Sequence, residues 1–134
     1  MSNFIYPKPS TMKIPEQYLP VMPYIILNEA AAFLDFTKKV FGATEIMIVP
    51  GEGERSIMHG EIKIHDAVIM FAGASEAWQE KTSGMFIFVD DVDRLYATAL
   101  EQNSKPLYAP VQQDYGYSAG FEDPFGNQWW ITQP

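Results

Sequence analysis

His59 and Glu61 stand two residues apart in "SIMHGEIKI", and an imidazole beside a carboxylate is a pair able to move a proton near neutral pH. On a strand, residues two apart share a face, with their bases about 7 Å from each other. A carboxylate at that range raises an imidazole pKa and orients its proton. The same spacing suits a polar pair that hydrogen-bonds across a sheet and does no chemistry. It also supplies two ligands of a metal site for which the sequence offers no third. His59 and Glu61 are the candidate catalytic residues; His65 falls in a turn and is expected to be exposed, and Glu52 and Glu54 read as a solvated loop. Tyr115 and Tyr117 offer phenol hydroxyls to a ligand or serve as ordinary edge tyrosines. Trp78, in a polar connector, is either a stacking lid or a staple that holds a loop to the body.

Composition narrows what these residues can serve. The chain has no cysteine, which excludes disulfides, thiolate nucleophiles and thiolate metal ligands. A net charge of -8 and a pI near 4.6 argue against a nucleic-acid partner, because phosphate backbones are held by clustered Lys and Arg. No apolar run approaches a membrane span, and the first twenty residues lack the pattern of an export signal, so a cytoplasmic protein without membrane contact is expected. At 134 residues the chain fits one domain able to bury a core unaided.

The elements repeat. Residues 1–20 carry Pro7, Pro9, Pro15 and Pro20 and are expected as an extended arm. "VMPYIIL" from Val21 reads as a strand, Asn28 as an N-cap, and "EAAAFLDFTKKVF" as a helix with Phe33, Phe36, Val40 and Phe41 on one stripe, stopped at Gly42. Three strands follow, the last two joined by the two-residue turn His65-Asp66. The order then recurs: strand "MFIFV", a helix capped by Asp90 or Asp91, an edge strand weakened by Pro106 and Pro110, and a closing hairpin around "DPFG". The predicted fold is α+β, a single domain over 21–134 made of two βαβββ modules at about 21–74 and 84–133. Their mixed sheets pack edge to edge into a cup with the helices outside, and the inner face takes a ligand.

The motifs "VMPYIILNEAAAFLDFTKKVFGA", "MHGEIKIHDAVIMF", "GMFIFVDDVD" and "GFEDPFGNQWWI" resemble the glyoxalase/bleomycin-resistance/extradiol-dioxygenase superfamily, the vicinal oxygen chelate proteins, over roughly Val21 to Thr132. The resemblance implies that metal-dependent members take one ligand from the first and last strand of each module. The matching positions hold Met22, Met70, Gly84 and Trp130, none of which donates a hard or borderline ligand. No metal and no cofactor is therefore expected. Trp130 stands where a carboxylate ligand would, so its ring is expected to face the cup while Trp129 packs under the helices.

The hairpin register predicts that Glu61 pairs with Met70 and shares its face with His59, while Met58, Ile62 and Ile64 turn toward the helices. Met22, Tyr24 and Ile26, and Gly84, Phe86 and Phe88, are expected inside. The candidate binding residues are Met22, Tyr24, Met70, Trp78, Phe86, Tyr115, Tyr117 and Trp130. They suggest a metal-free protein that holds an aromatic or cationic small molecule, a drug or antibiotic among the options, between aromatic walls. The bleomycin-resistance branch implies an acidic homodimer with two clefts. Two alternatives stay open: a lyase, isomerase or dioxygenase using an unusual metal site or His59 and Glu61, and a domain whose cup only packs against a partner.

Overall fold

Apolar residues recur at helical spacing between Ala30 and Phe41 and at strand spacing on either side, and the chain folds accordingly. The computed structural model describes residues 11–134, so Pro7 and Pro9 of the arm lie outside the described residues. The first module runs β1 (Tyr24–Leu27), α1 (Ala30–Phe41), β2 (Thr44–Pro50), β3 (Ile57–Ile64) and β4 (Ala67–Gly73). The second runs β5 (Gly84–Phe88), α2 (Val92–Glu101), β6 (Lys105–Gln113), β7 (Gly116–Glu122) and β8 (Gln128–Gln133). No helix among the described residues is long and apolar enough to cross a membrane.

Each module makes one four-stranded mixed sheet, ordered β1-β4-β3-β2 and β5-β8-β7-β6, with the first strand parallel to the last. The fold is α+β with curled sheets that do not close into a barrel. No strand ladder joins the two sheets among the described residues. What reaches the free edge of β1 is a single bridge, Ile26 with Lys81 of the connector.

The helices cover one face of each sheet and leave the other uncovered. Phe33 of α1 meets Phe71 of β4 edge-on at 5.3 Å, and Phe41 lies 4.4 Å from the Trp129 ring, so α1 ties both modules into one core. Trp129 is 1% exposed, as expected for the ring under the helices.

Local chemistry sets the helix ends. Gly42 adopts φ 67°, and its N–H and that of Ala43 donate to the Lys38 and Thr37 carbonyls, the paired bonds that stop a helix at a left-handed residue. Asp91 caps α2 by accepting from the Arg94 N–H at 3.1 Å.

Three expectations need correction. The N-cap of α1 is Glu29 rather than Asn28, whose own N–H is taken by the Glu80 carboxylate while the Glu29 carbonyl accepts the first helical bond. β1 starts at Tyr24, so Met22 precedes the strand and the Pro23 carbonyl makes the first bond to β4. Met58 is 63% exposed and does not turn to the helices: Val49 and Pro50 of β2 pair with His59 and Ile57, so Met58 is the extra, unpaired residue of a bulge in β3 that reverses the alternation there.

Candidate functional site

The His65-Asp66 turn fixes the register that brings the polar residues together. Ile64 pairs with Ala67 and Glu61 with Met70, while Tyr24 on β1 pairs with Met70 from the other side. Tyr24, Met70 and Glu61 thus form one row across three strands, with His59 two residues along β3.

The row carries a chain of short hydrogen bonds. His59 Nε2 lies 2.7 Å from Glu61 Oε2, and the Tyr24 hydroxyl lies 3.0 Å from His59 Nδ1. The other carboxylate oxygen, Glu61 Oε1, accepts from the Tyr18 hydroxyl at 2.6 Å. Glu61 is only 3% exposed. Burial pushes its carboxyl up, but the bonds from Tyr18 and His59, joined by the imidazole's attraction whenever that ring is protonated, outweigh burial and hold it below the usual glutamate value. The same bond to Glu61, with desolvation and the carboxylate charge, pushes the Tyr18 phenol up.

Tyr18 is the member that sequence reasoning missed. Its arm is held in a turn in which the Tyr18 N–H donates to the Pro15 carbonyl, and the contact with Glu61 spans 43 residues. Nothing in the spacing of a proline-rich segment signals such a partner.

Beside this row lies an open cavity of about 1080 Å³. Its wall includes Tyr24, Ile26, Met58, Ala72 and Trp78, with the Pro50–Gly53 loop at the rim. Tyr24 belongs both to the wall and to the hydrogen-bonded chain. Trp78 is 69% exposed, and its segment is anchored by the Ser75 N–H donating to the Trp78 carbonyl and by the Lys81 bridge. No residue of the second sheet lines the cavity.

The remaining candidates lie on the uncovered face of that second sheet. Phe86 is opposite Trp130 across the β5–β8 pair, and its ring meets Phe88 at 5.2 Å and Tyr115 at 6.3 Å. Phe86, Phe88 and Tyr115 are each more than half exposed, and Trp130 is half-buried. A Cβ on Gly84 would come within 2.8 Å of the Trp130 ring, so this glycine leaves room for the indole. Tyr115 sits in the β6–β7 turn rather than on the strand. Tyr117 is turned away from this face: it packs on the core and its hydroxyl donates to Asp93 of α2 at 2.6 Å. Strand alternation puts it beside Ala119 and Phe121, which are fully buried.

The candidates therefore fall into two groups, one on each sheet. Met22, half-buried before β1, and Met70 stand on the first; Gly84 and Trp130 stand on the second. These are the positions where the resemblance implies metal ligands. Thioethers, a glycine and an indole do not fit a divalent cation, and no three His, Asp or Glu side chains come together among the described residues.

Comparison with known proteins agrees with this architecture. The family model described as "Glyoxalase/Bleomycin resistance protein/Dioxygenase superfamily" matches residues 19–131. An uncharacterized protein of Mycobacterium bovis is 27% identical over 124 residues, covering 84% of this chain and 81% of its own. Among solved structures, TioX from Micromonospora sp. ML1 superposes with a TM-score of 0.68 at 16% identity, over 85% of this chain and 94% of that one. TnmS3 from Streptomyces sp. CB03234, described as an antibiotic binding protein, gives 0.64 at 19% identity, over 87% and 97%.

Proposed function

The chain belongs to the glyoxalase/bleomycin resistance protein/dioxygenase superfamily, and on that premise we propose that it binds a small, largely flat organic molecule without a metal ion. The supporting observation is the distribution of exposed aromatic side chains. Tyr24 and Trp78 wall the cavity on one sheet, while Phe86, Phe88 and Tyr115 project from the uncovered face of the other. Aromatic rings stack on flat guests and attract cationic ones, and the net charge of -8 favours a cation. That a structural relative is described as an antibiotic binding protein makes antibiotic-like aromatics the first class to try.

In this reading the cavity is one half of a cleft. A second copy lays the Phe86 and Phe88 face of its second sheet over the Tyr24 wall, and the symmetric contact makes two clefts per homodimer. The guest then lies between aromatic walls from two chains.

Calorimetric titration with a panel of aromatic cations and neutral aromatic antibiotics tests the reading. The expected result is a saturable guest whose affinity falls about tenfold or more, roughly 1.4 kcal/mol, in Trp78→Ala and in Trp130→Ala. Stoichiometric zinc, nickel or iron coordinated by protein atoms, in protein purified without chelator, would overturn it.

A further inference from the structure

We propose that Tyr24 is a catalytic proton-transfer residue whose hydroxyl is worked by His59 and Glu61, a carboxylate–imidazole–phenol relay that opens at the cavity wall. Glu61 is buried and held ionised, and an ionised carboxylate only accepts hydrogen bonds. The 2.7 Å contact therefore puts the proton on His59 Nε2. In the neutral imidazole, the form from which the relay starts, Nδ1 then carries the lone pair and the Tyr24 hydroxyl, 3.0 Å away, donates to it. The order is carboxylate, imidazole, hydroxyl, in which the imidazole removes the hydroxyl proton and the carboxylate holds the imidazole's orientation and its charge.

Burial grades along the relay in the direction chemistry needs. Glu61 is 3% exposed, His59 is half-buried, and Tyr24 is 50% exposed with a place in the cavity wall. A polar pair that only braced the sheet would have no use for a third member facing the ligand space. Tyr24 is the group that meets the guest; His59 and Glu61 are positioning residues acting through it.

The step conserves atoms and charge. A guest with a weakly acidic X–H bond sets that proton on the Tyr24 oxygen as Tyr24 passes its own proton to His59 Nδ1. The X–H bond breaks, a new phenol O–H forms, and the imidazolium is held between Tyr24 and Glu61. The reverse transfer returns a proton from the same face to a conjugated neighbour. The substrate class is a mostly apolar organic molecule with one such proton next to an unsaturated group, and the product is its double-bond isomer or tautomer.

This inference rests on the reading that the cavity takes the guest, but its test needs no guest, so the two fail separately. Purified full-length protein is treated briefly with an aryl sulfonyl fluoride, and labelled tyrosines are counted by peptide mass spectrometry. In that reaction the phenol oxygen bonds to sulfur, the S–F bond breaks, fluoride leaves, and the phenol proton goes to His59. Tyr115, 57% exposed and outside the relay, is the internal reference. At neutral pH Tyr24 should label about tenfold or more faster than Tyr115, and His59→Gln should bring the two to the same rate while the Tyr115 rate stays unchanged. Equal rates in the wild type, or a Tyr24 rate indifferent to His59→Gln, would each overturn the proposal.

Discussion

Glu61 stays ionised in a nearly dry position because two donors reach it, one from its own strand and one from the arm. Its folded pKa lies below the unfolded one, so its contribution to stability is present above the ordinary glutamate pKa and is lost as pH falls through the folded value. Denaturant unfolding of wild type and Glu61→Gln should therefore differ by about 1–3 kcal/mol at neutral pH, the range for a hydrogen-bonded charge. The difference should vanish in acid, and a gap that stays constant with pH would contradict it. Tyr18→Phe should reproduce part of the loss. The shared face of His59 and Glu61 was legible from a two-residue turn, because register follows from turn length. Tyr18 was not, since its bond to Glu61 closes a 43-residue separation that no local pattern reports.

The DPFG turn shows what an element hides from pattern reading. Asp123 is 2% exposed and accepts from the backbone N–H of Phe125 and Asn127, from Asn127 Nδ2, and from the Trp129 indole Nε1 at 2.9 Å. Burial pushes its carboxyl up, and these four donors oppose that. Asp123→Ala should cost roughly 2–4 kcal/mol, since it strands several buried donors at once; Asp123→Asn, which keeps an acceptor, should cost less. Urea denaturation of both variants checks the order. The turn itself was readable from Pro and Gly, and Trp129 under the helices from strand alternation. The bond between them was not, because it depends on the indole folding back over the turn. Bulges were likewise invisible: the one in β3 reversed Met58, and nothing in the alternation of "SIMHGEIKI" marks it.

Two βαβββ modules were legible because cap, helix stripe and hairpin recur in the same order. The expectation that the sheets join edge to edge was not met by any strand ladder among the described residues, since alternation fixes faces within a sheet and says nothing of which edges meet. The two aromatic faces are thus left for a second copy in the proposed homodimer. Sedimentation should show a dimer that tightens as salt screens the repulsion between two chains of charge -8. Phe86→Ser with Phe88→Ser should shift it to monomer; a monomeric wild type at the same concentrations would refute the arrangement.

The strand edges point the same way. β2 ends in Pro50 and β6 carries Pro106 and Pro110, which give no N–H to an incoming strand. On the open side of β1, both Ile26 backbone groups are engaged by Lys81, and at the end of β5 the Phe88 carbonyl is engaged by His65 Nε2 at 2.9 Å. Each of these four margins therefore carries at least one point where sheet extension from chain to chain, the usual route to fibrils, is hindered. The proposed homodimer, whose copies meet broadside, would enclose a chamber instead of lengthening a ribbon.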